Sequence, residues 1–480
     1  MYFFLNKFLF FILVFSGTLA QAQESTSPKL WTLEECIDYA LKNNISIQQT
    51  QLNTDVSKIN LTQSEGNLLP SINASAGHNY NIGRTIDRFT NQFADQQVLS
   101  QNMGVSADIT LFGGLQNINM IKQNKYAYMA GKFDVDKIKN DVSLNIATAY
   151  LQILYSIELV DNARNQMGIT ESQVIRAKKL LDAGSVAKGN LLDIQAQLAN
   201  EELNYTSAQN QLDIAYLTLA QLMNLENMAG FTILKPELAI AGATLLDVNP
   251  TQIYNTAMSN LPEIKSAELK VKSADKAVDA AWGGLSPRLS FNASYGTGYS
   301  GLSQRLIGQP TFAGYYPNGS VTNSGDMVLS PLFTTVTEKT PFTEQYKNNV
   351  NKTFGFYLTV PIFNRLQTKT SIDRAHIQKL TADLTVQSTK QQVLKNIQQA
   401  YADANAGLKK YHSAEKAVAA NAESFKYVEQ KFNVGMMNTN DYSIAKNKLI
   451  KAQSDLLQAK YEYVFKTKVL DFYQGKPLKL

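Results

Sequence analysis

The sequence predicts a protein of α-helices plus a membrane β-barrel, with one helix–strand–strand–long helix–turn–helix unit written twice. Three observations carry that expectation. The chain repeats itself at fixed offsets. Four segments of about ten residues alternate apolar with polar, the length a tilted strand needs to cross a bilayer. Two proline-free stretches of about 70 residues hold apolar side chains at helical spacing.

The duplication is read first. Leu68-Leu69-Pro70-Ser71-Ile72 returns as Leu285-Ser286-Pro287-Arg288-Leu289. Phe112-Gly113-Gly114-Leu115-Gln116 returns, at a longer offset, as Phe363-Asn364-Arg365-Leu366-Gln367. The longer offset then holds without a gap: Tyr150 falls on Tyr401, Gly184 on Gly435 and Asn190 on Asp441. The excess of the second offset over the first lies between Tyr299 and Thr353, in a run of Gly, Ser, Asn, Thr, Pro and aromatics. Loops absorb insertions because they run over the surface, so a long loop is expected near 300–352. The division that follows is a signal peptide at 1–22, a first repeat at 23–250 and a second at 251–480. The first repeat comprises a helix, a β-hairpin, a tip hairpin and an equatorial segment.

The chain of 480 residues is 44% hydrophobic and 18% charged, with net charge +5. Its mean hydropathy is −0.21. That balance excludes a disordered chain and a helical membrane bundle. No basic run with interleaved aromatics occurs, so no nucleic-acid partner is expected. Lys7, the apolar run Phe8 to Phe15 and the small-x-small site Ala20-Gln21-Ala22 read as a secretory signal cleaved between Ala22 and Gln23. The apolar run is too short to anchor the chain across a bilayer. Cys36, the only cysteine, is not at the first mature position, so no lipid anchor is expected. It is expected to pack as a small apolar residue in a helix.

The strands come next. Ile72, Ala74, Ala76 and Tyr80 alternate with Ser71, Asn73, Ser75 and Asn79; Met103, Val105, Ala107 and Ile109 with Asn102, Gly104, Ser106 and Asp108. Leu289, Phe291, Ala293 and Tyr295 alternate likewise, and so do Phe354, Phe356, Leu358 and Val360. A soluble half-buried sheet gives the same pattern. Export, and the isolation of each strand pair between long helices, favour a membrane. Four strands cannot close a barrel, since small bacterial barrels have about eight. Several copies must pool them, and three would give 12.

Leu115 to Ala183 reads as one helix of about 70 residues, roughly 105 Å long, and Gln367 to Val434 repeats it. Ala183-Gly184-Ser185 and Val434-Gly435-Met436 read as C-terminal caps followed by short turns. Return helices are expected at Gly189 to Asn227 and Asn440 to Tyr473, and leading helices at Thr32 to Gly66 and Thr251 to Trp282. A leading and a return helix placed end to end match a long helix. The segment Met228 to Asn249 and both mature termini are expected to gather at that seam.

The order and duplication of these elements resemble the TolC-like outer-membrane factors across essentially the whole mature chain. The repeated Leu-x-Pro strand start and the turn Val434-Gly435-Met436 followed by Asp441-Tyr442 carry the likeness. It implies a homotrimer in the outer membrane, with a 12-stranded barrel on a long periplasmic α-helical tunnel. It also implies a passive exit duct of a tripartite efflux or type I secretion system. The implied partners are a periplasmic adaptor, an inner-membrane RND or ABC pump, and outer-membrane lipid. The resemblance puts adaptor docking at the tips Gly184, Ser185, Gly435 and Met436. It puts the periplasmic gate at Asp441, six residues past the tip glycine. Ile444 stands where the family often has a second acid, and Met437 where some members have an arginine. Asp193 is the first repeat's nearest counterpart acid. Asp441 also reads as a helix N-terminal acid favoured by the dipole.

Other strings carry less. Gly296-Thr297-Gly298-Tyr299-Ser300-Gly301 matches a dinucleotide fingerprint as letters, but no helix opens on it. His78, His376 and His412 lack metal-ligand spacing. Glu201-Glu202 reads as part of a charged, solvated helix face. No nucleophile–base arrangement occurs, so neither an enzyme nor a cofactor is expected. The alternative function is a trimeric coiled-coil structural or adhesive protein, which the duplication and return helices do not suit. A free-standing porin needs many strands from one chain.

Overall fold

The computed structural model describes residues 30–86, 91, 93–94, 97–228, 230–236 and 249–479. The expected signal peptide with its Ala22–Gln23 junction lies outside them, as does part of the equatorial segment. The elements run β1 (Leu30–Trp31), α1 (Leu33–Asn43), α2 (Ile45–Gly66), β2 (Ser71–Asn81), β3 (Thr85–Ile86), β4 (Phe93–Ala94) and β5 (Val98–Gly113). Then come α3 (Gln116–Asp182), α4 (Lys188–Met223), β6 (Thr232–Ile233), α5 (Pro250–Asn260) and α6 (Pro262–Gly283). The chain continues with β7 (Arg288–Ser300), β8 (Gln304–Val321), β9 (Met327–Lys339), α7 (Phe342–Asn348), β10 (Asn351–Thr359), α8 (Gln367–Asn433) and α9 (Thr439–Tyr473). None of the described helices is long and apolar enough to cross a membrane.

Both long helices form as single elements of 67 residues. The leading helices differ from expectation, because each is two helices. The first breaks at Asn44 (ψ 124°) and the second at Leu261 (ψ 129°). These positions are related by the same shift as Pro70 and Pro287, so the break belongs to the repeat. Leu261 precedes Pro262, whose ring disfavours helical backbone in the residue before it. Asn44 has no proline after it. Its side chain instead accepts from Ser46 N at 2.9 Å and Ile47 N at 3.3 Å, restarting the helix as a cap does.

The chain divides into two compact units. One comprises Met1–Gln49, Asp136–Leu261 and Gln392–Leu480. Its core joins Leu33, Cys36 and Ala40 of α1 to Ile146, Tyr150, Ile153 and Leu154 of α3 and to Leu219 and Met223 of α4. Burial of each large apolar side chain contributes about 1.5–3 kcal/mol. Cys36 is fully buried there, as expected. β1 and β6 pair in parallel over this core. The Tyr150 hydroxyl donates to Leu234 O at 2.6 Å and lies 3.1 Å from Trp31 O. Burial pushes that phenol above the ordinary tyrosine range. Asn44 Nδ2 donates to Leu222 O at 3.0 Å, joining the end of α1 to the end of α4. Leu30–Trp31 and Thr232–Ile233 thus meet at the α1 core.

The other unit comprises Thr50–Val135 and Pro262–Gln391. It holds an antiparallel four-stranded sheet in the order β10-β7-β5-β2, so β10 and β2 are its open edges. The four expected strands are these four. Ile72, Tyr80, Phe354, Phe356 and Leu358 all project into the open. A row of exposed apolar side chains on alternate positions suits lipid. At both strand-to-helix exits the chain takes two successive left-handed residues: Gly114 and Leu115 in the first repeat, Arg365 and Leu366 at the equivalent place in the second. The expected long loop near 300–352 is corrected. It is a hairpin of β8 and β9 followed by α7. Its aromatic and β-branched residues pair across a turn at Thr322–Asp326, and glycines at irregular points bend the ladder without ending it. The string Gly296 to Ser300 is strand β7, with no helix opening on it.

Candidate functional site: the two tip turns

Each long helix stops the same way. Gly184 has φ +70°, Gly184 N donates to Leu181 O at 2.9 Å, and Ser185 N donates to Leu180 O at 2.8 Å. Gly435 has φ +79°, with Gly435 N to Phe432 O at 3.1 Å and Met436 N to Lys431 O at 2.9 Å. These are Schellman closures, which need a left-handed residue after the helix. No atom crowds the missing Cβ at either glycine. The backbone angle alone selects glycine here. Gly184, Ser185, Gly435 and Met436 are all exposed, and Met436 is 79% exposed.

The return helices begin differently. α4 starts at Ala187, which makes no side-chain cap. α9 starts at Asn438, whose Oδ1 accepts from Asp441 N at 2.8 Å while its Nδ2 donates to Asp441 Oδ2 at 2.9 Å. Asn438 thus caps α9, and Asp441, held by the Asn438 amide, lies in the first turn, where the helix dipole favours an anion. Asp441 and Ile444 are exposed, with Ile444 at 46%. Asp193 is exposed on α4, and no hydrogen bond joins it to Asp441 among the described residues.

Just behind the turns, three bridges tie α3 to the second repeat's hairpin. Arg176 donates to Asn433 Oδ1 and, at 3.1 Å, to Asn433 O. Gln173 donates to the Tyr442 hydroxyl, while the Tyr442 ring lies 4.5 Å from that of Phe432 and 5.3 Å from that of Phe425. Burial pushes the Tyr442 phenol up. Lys446 Nζ lies 3.0 Å from Glu201 Oε1 and bonds to the Thr170 hydroxyl, which also bonds to Glu201. Gln197 donates to Glu201 as well, at 2.9 Å. Lys446 is 2% exposed and Glu201 3%. The reading of Glu201-Glu202 as a solvated face is corrected. Glu202 is exposed, but Glu201 is a buried ion-pair partner, because Lys446 and Thr170 meet it there. Sequence inspection missed Arg176, Gln173 and Lys446. The partner of each lies in the other repeat, and single polar residues on a helix carry no pairing signal.

His78 lies on β2, with Nδ1 2.8 Å from Gln101 Nε2. Among the described residues no cluster of three potential metal ligands occurs.

The family model described as outer membrane efflux protein matches residues 36–225 and 253–475. The chain is 21% identical to the outer membrane protein TolC of Vibrio cholerae over 450 residues, 93% of this chain and 90% of the relative. It is 23% identical over 273 residues to the probable outer membrane lipoprotein SilC of Salmonella typhimurium, and that match spans 56% of each chain. The CmeC outer membrane channel of Campylobacter jejuni is similar in fold, with TM-score 0.72, 17% identity, and 93% of this chain and 87% of that chain covered.

Proposed function

This chain belongs to the outer membrane efflux protein family, and from that premise we propose that it is the passive outer-membrane exit duct of a tripartite efflux or type I secretion system. The observation that carries the reading is a four-stranded sheet with two open edges, borne on two 67-residue helices that end in matched exposed turns. Unpaired edge groups cannot remain in hydrocarbon. Three copies joined from β10 to β2 supply 12 strands and close the ladder. The family is one of channels rather than enzymes, which sets aside the structural or adhesive alternative.

In this reading the turns at Gly184-Ser185 and Gly435-Met436 dock the periplasmic adaptor, which couples the duct to an inner-membrane pump of the RND or ABC type. Asp441, with Ile444 beside it and Asp193 on the first hairpin, lines the periplasmic gate. Three copies of Asp441 make one ring of negative charge. This reading starts the mature protein at Gln23, and Cys36 packs in the α1 core.

Adaptor cross-linking tests the docking. Gly184→Val and Gly435→Val force a β-branched residue into a left-handed turn, at about 1–2 kcal/mol each. Trimer yield should hold, while cross-linking to the adaptor and export both fall. Unchanged cross-linking and export in the double variant would remove docking from these turns. A stable membrane-inserted protein with the mass of one chain would remove the duct itself.

A further inference from the structure

The insertion that distinguishes the second repeat has two different faces. Directly paired residues of an antiparallel ladder share a face. Phe312 pairs with Phe333, Tyr315 with Pro331, Pro317 with Leu329, and Val321 with Met327. That face is apolar from Phe312 and Phe333 to the turn, and becomes polar toward the base at Thr337 and at Gln304 with Lys339. Phe312 is 52% exposed, Tyr315 66% and Met327 69%. The Phe312 ring lies 5.1 Å from that of Tyr315 and 5.9 Å from that of Phe333. The opposite face is mixed: the ion pair of Arg305 with Glu338, Thr311, Thr334 and Ser330 lie among exposed Ile307, Val336, Leu332 and Tyr316.

This hairpin is held at its base. Buried Gln345 of α7 accepts from Ser300 N at 2.9 Å and donates to Ser300 O and Thr340 O, both at 3.0 Å. Thr297 donates to Tyr346 O at 2.7 Å, and Asn349 donates to Gly298 O at 2.8 Å. Arg305 also pairs with Glu344. A two-stranded hairpin alone is marginal in water. Here a fixed base presents an uncovered aromatic face.

We propose that this face packs against the same face of neighbouring copies, so that the hairpins of one assembly cover one another beyond the barrel strands. The proposal rests on the trimeric reading above. Three observations select a second copy as the occupant. The hairpin joins β7 to β10, and β10 is an open edge of the sheet, where the next copy must arrive. Neither strand carries a charge from Leu306 to Val321 or from Met327 to Thr337, so identical faces meet without repulsion. Pro310, Pro317 and Pro331, with register shifts after Ile307, Phe312 and Pro317, interrupt the hairpin edges. A partner strand therefore cannot extend the ladder, and contact must come through the face.

The test uses the full chain in outer membranes. Phe333→Cys is placed on the apolar face and Thr334→Cys on the opposite one. Cys36 is fully buried, so the unsubstituted chain gives the background. A short bifunctional maleimide should join Phe333→Cys chains into species of two chains, and Thr334→Cys chains should stay single. In a second measurement, the double variant Phe312→Ser/Phe333→Ser should keep the mass of three chains while protease cleavage within 304–339 rises several-fold. A three-chain assembly in which Phe333→Cys labels freely with a bulky maleimide overturns this proposal alone, as does its cross-linking to a different polypeptide or unchanged protection of the double variant. A single-chain mass overturns it together with the trimer.

Discussion

The two tip hairpins share a backbone and differ in chemistry. Both glycines, at φ +70° and +79°, close the same pair of hydrogen bonds. At the offset that superposes these glycines, uncapped Ala187 answers to Asn438, Asn190 to Asp441 and Leu191 to Tyr442. Duplication copied the turn, whose geometry only a left-handed residue satisfies, and left the side chains beside it free to diverge. The second hairpin took the capping pair, the buried tyrosine and the lysine that reaches into the first. The contrast teaches that matched shape at the tips does not imply matched roles.

The largest expected effect comes from the bond between the hairpins. Lys446 meets Glu201 and Thr170, whereas the equivalent positions are Gln195, Ala452 and Asn421. Lys446→Ala leaves a buried carboxylate unpaired and should cost about 3–5 kcal/mol in thermal or denaturant unfolding in detergent. Replacing both partners, as Lys446→Met with Glu201→Leu, should cost much less. Equal losses from the single and double changes would show that the pair is not what joins the hairpins.

The caps come next. Asn438→Ala should lower stability by about 0.5–2 kcal/mol, and Ala187→Asn should recover a comparable amount in the first hairpin. If both changes are silent in unfolding midpoints, the difference in capping has no energetic content.

Asp441→Asn keeps an acceptor for Asn438 but loses the charge. Its stability cost should be about 0.3–1 kcal/mol, from the helix dipole. Cation selectivity and multivalent-cation block in a planar bilayer should fall. Identical selectivity would confine Asp441 to capping and pass the constriction to Ile444.

The smallest effect is an acid one. Lys466 donates to Asp403 and holds its carboxyl below the usual range, with Gln399 adding to the effect. The first repeat has Gln152 and Ala215 at these positions, so only the second carries this pair. A carboxyl depressed in the folded state stabilises above its unfolded pKa of about 3.9, and that contribution fades as pH falls through the folded value. Asp403→Asn should therefore lower the melting temperature at pH 7, by the equivalent of about 0.2–1 kcal/mol, and match the parent once the pH has fallen below the folded pKa. A difference that persists in strong acid would assign the effect to packing instead.

Much of this architecture was legible in the sequence because it is periodic. Two offsets located every strand-to-helix exit, and uninterrupted helical spacing located the long helices almost to their ends. The breaks in the leading helices were half legible. Pro262 announces the bend at Leu261, whereas at Asn44 only a side-chain cap marks it. The hairpin was hidden by its own glycines and prolines, which read as loop, although the β-rich run Phe333 to Thr337 was a signal. At the tips, the glycines were legible because φ restricts the residue type. Lys446, Glu201 and Arg176 were not, because their roles exist only once distant helices are adjacent.

The open sheet has one more consequence. A ladder with β10 at one edge and β2 at the other is a head-to-tail surface, and its backbone bonds would accept copy after copy. Amide and carbonyl groups carry no instruction to stop at any number. The count must come from elements that tolerate only one angle between neighbours, and the side chains of the long helices are the part of the chain able to impose it. Substitutions on the outward faces of α3 and α8 should therefore change how many subunits close a ring, whereas substitutions in the strands should change only whether a ring forms.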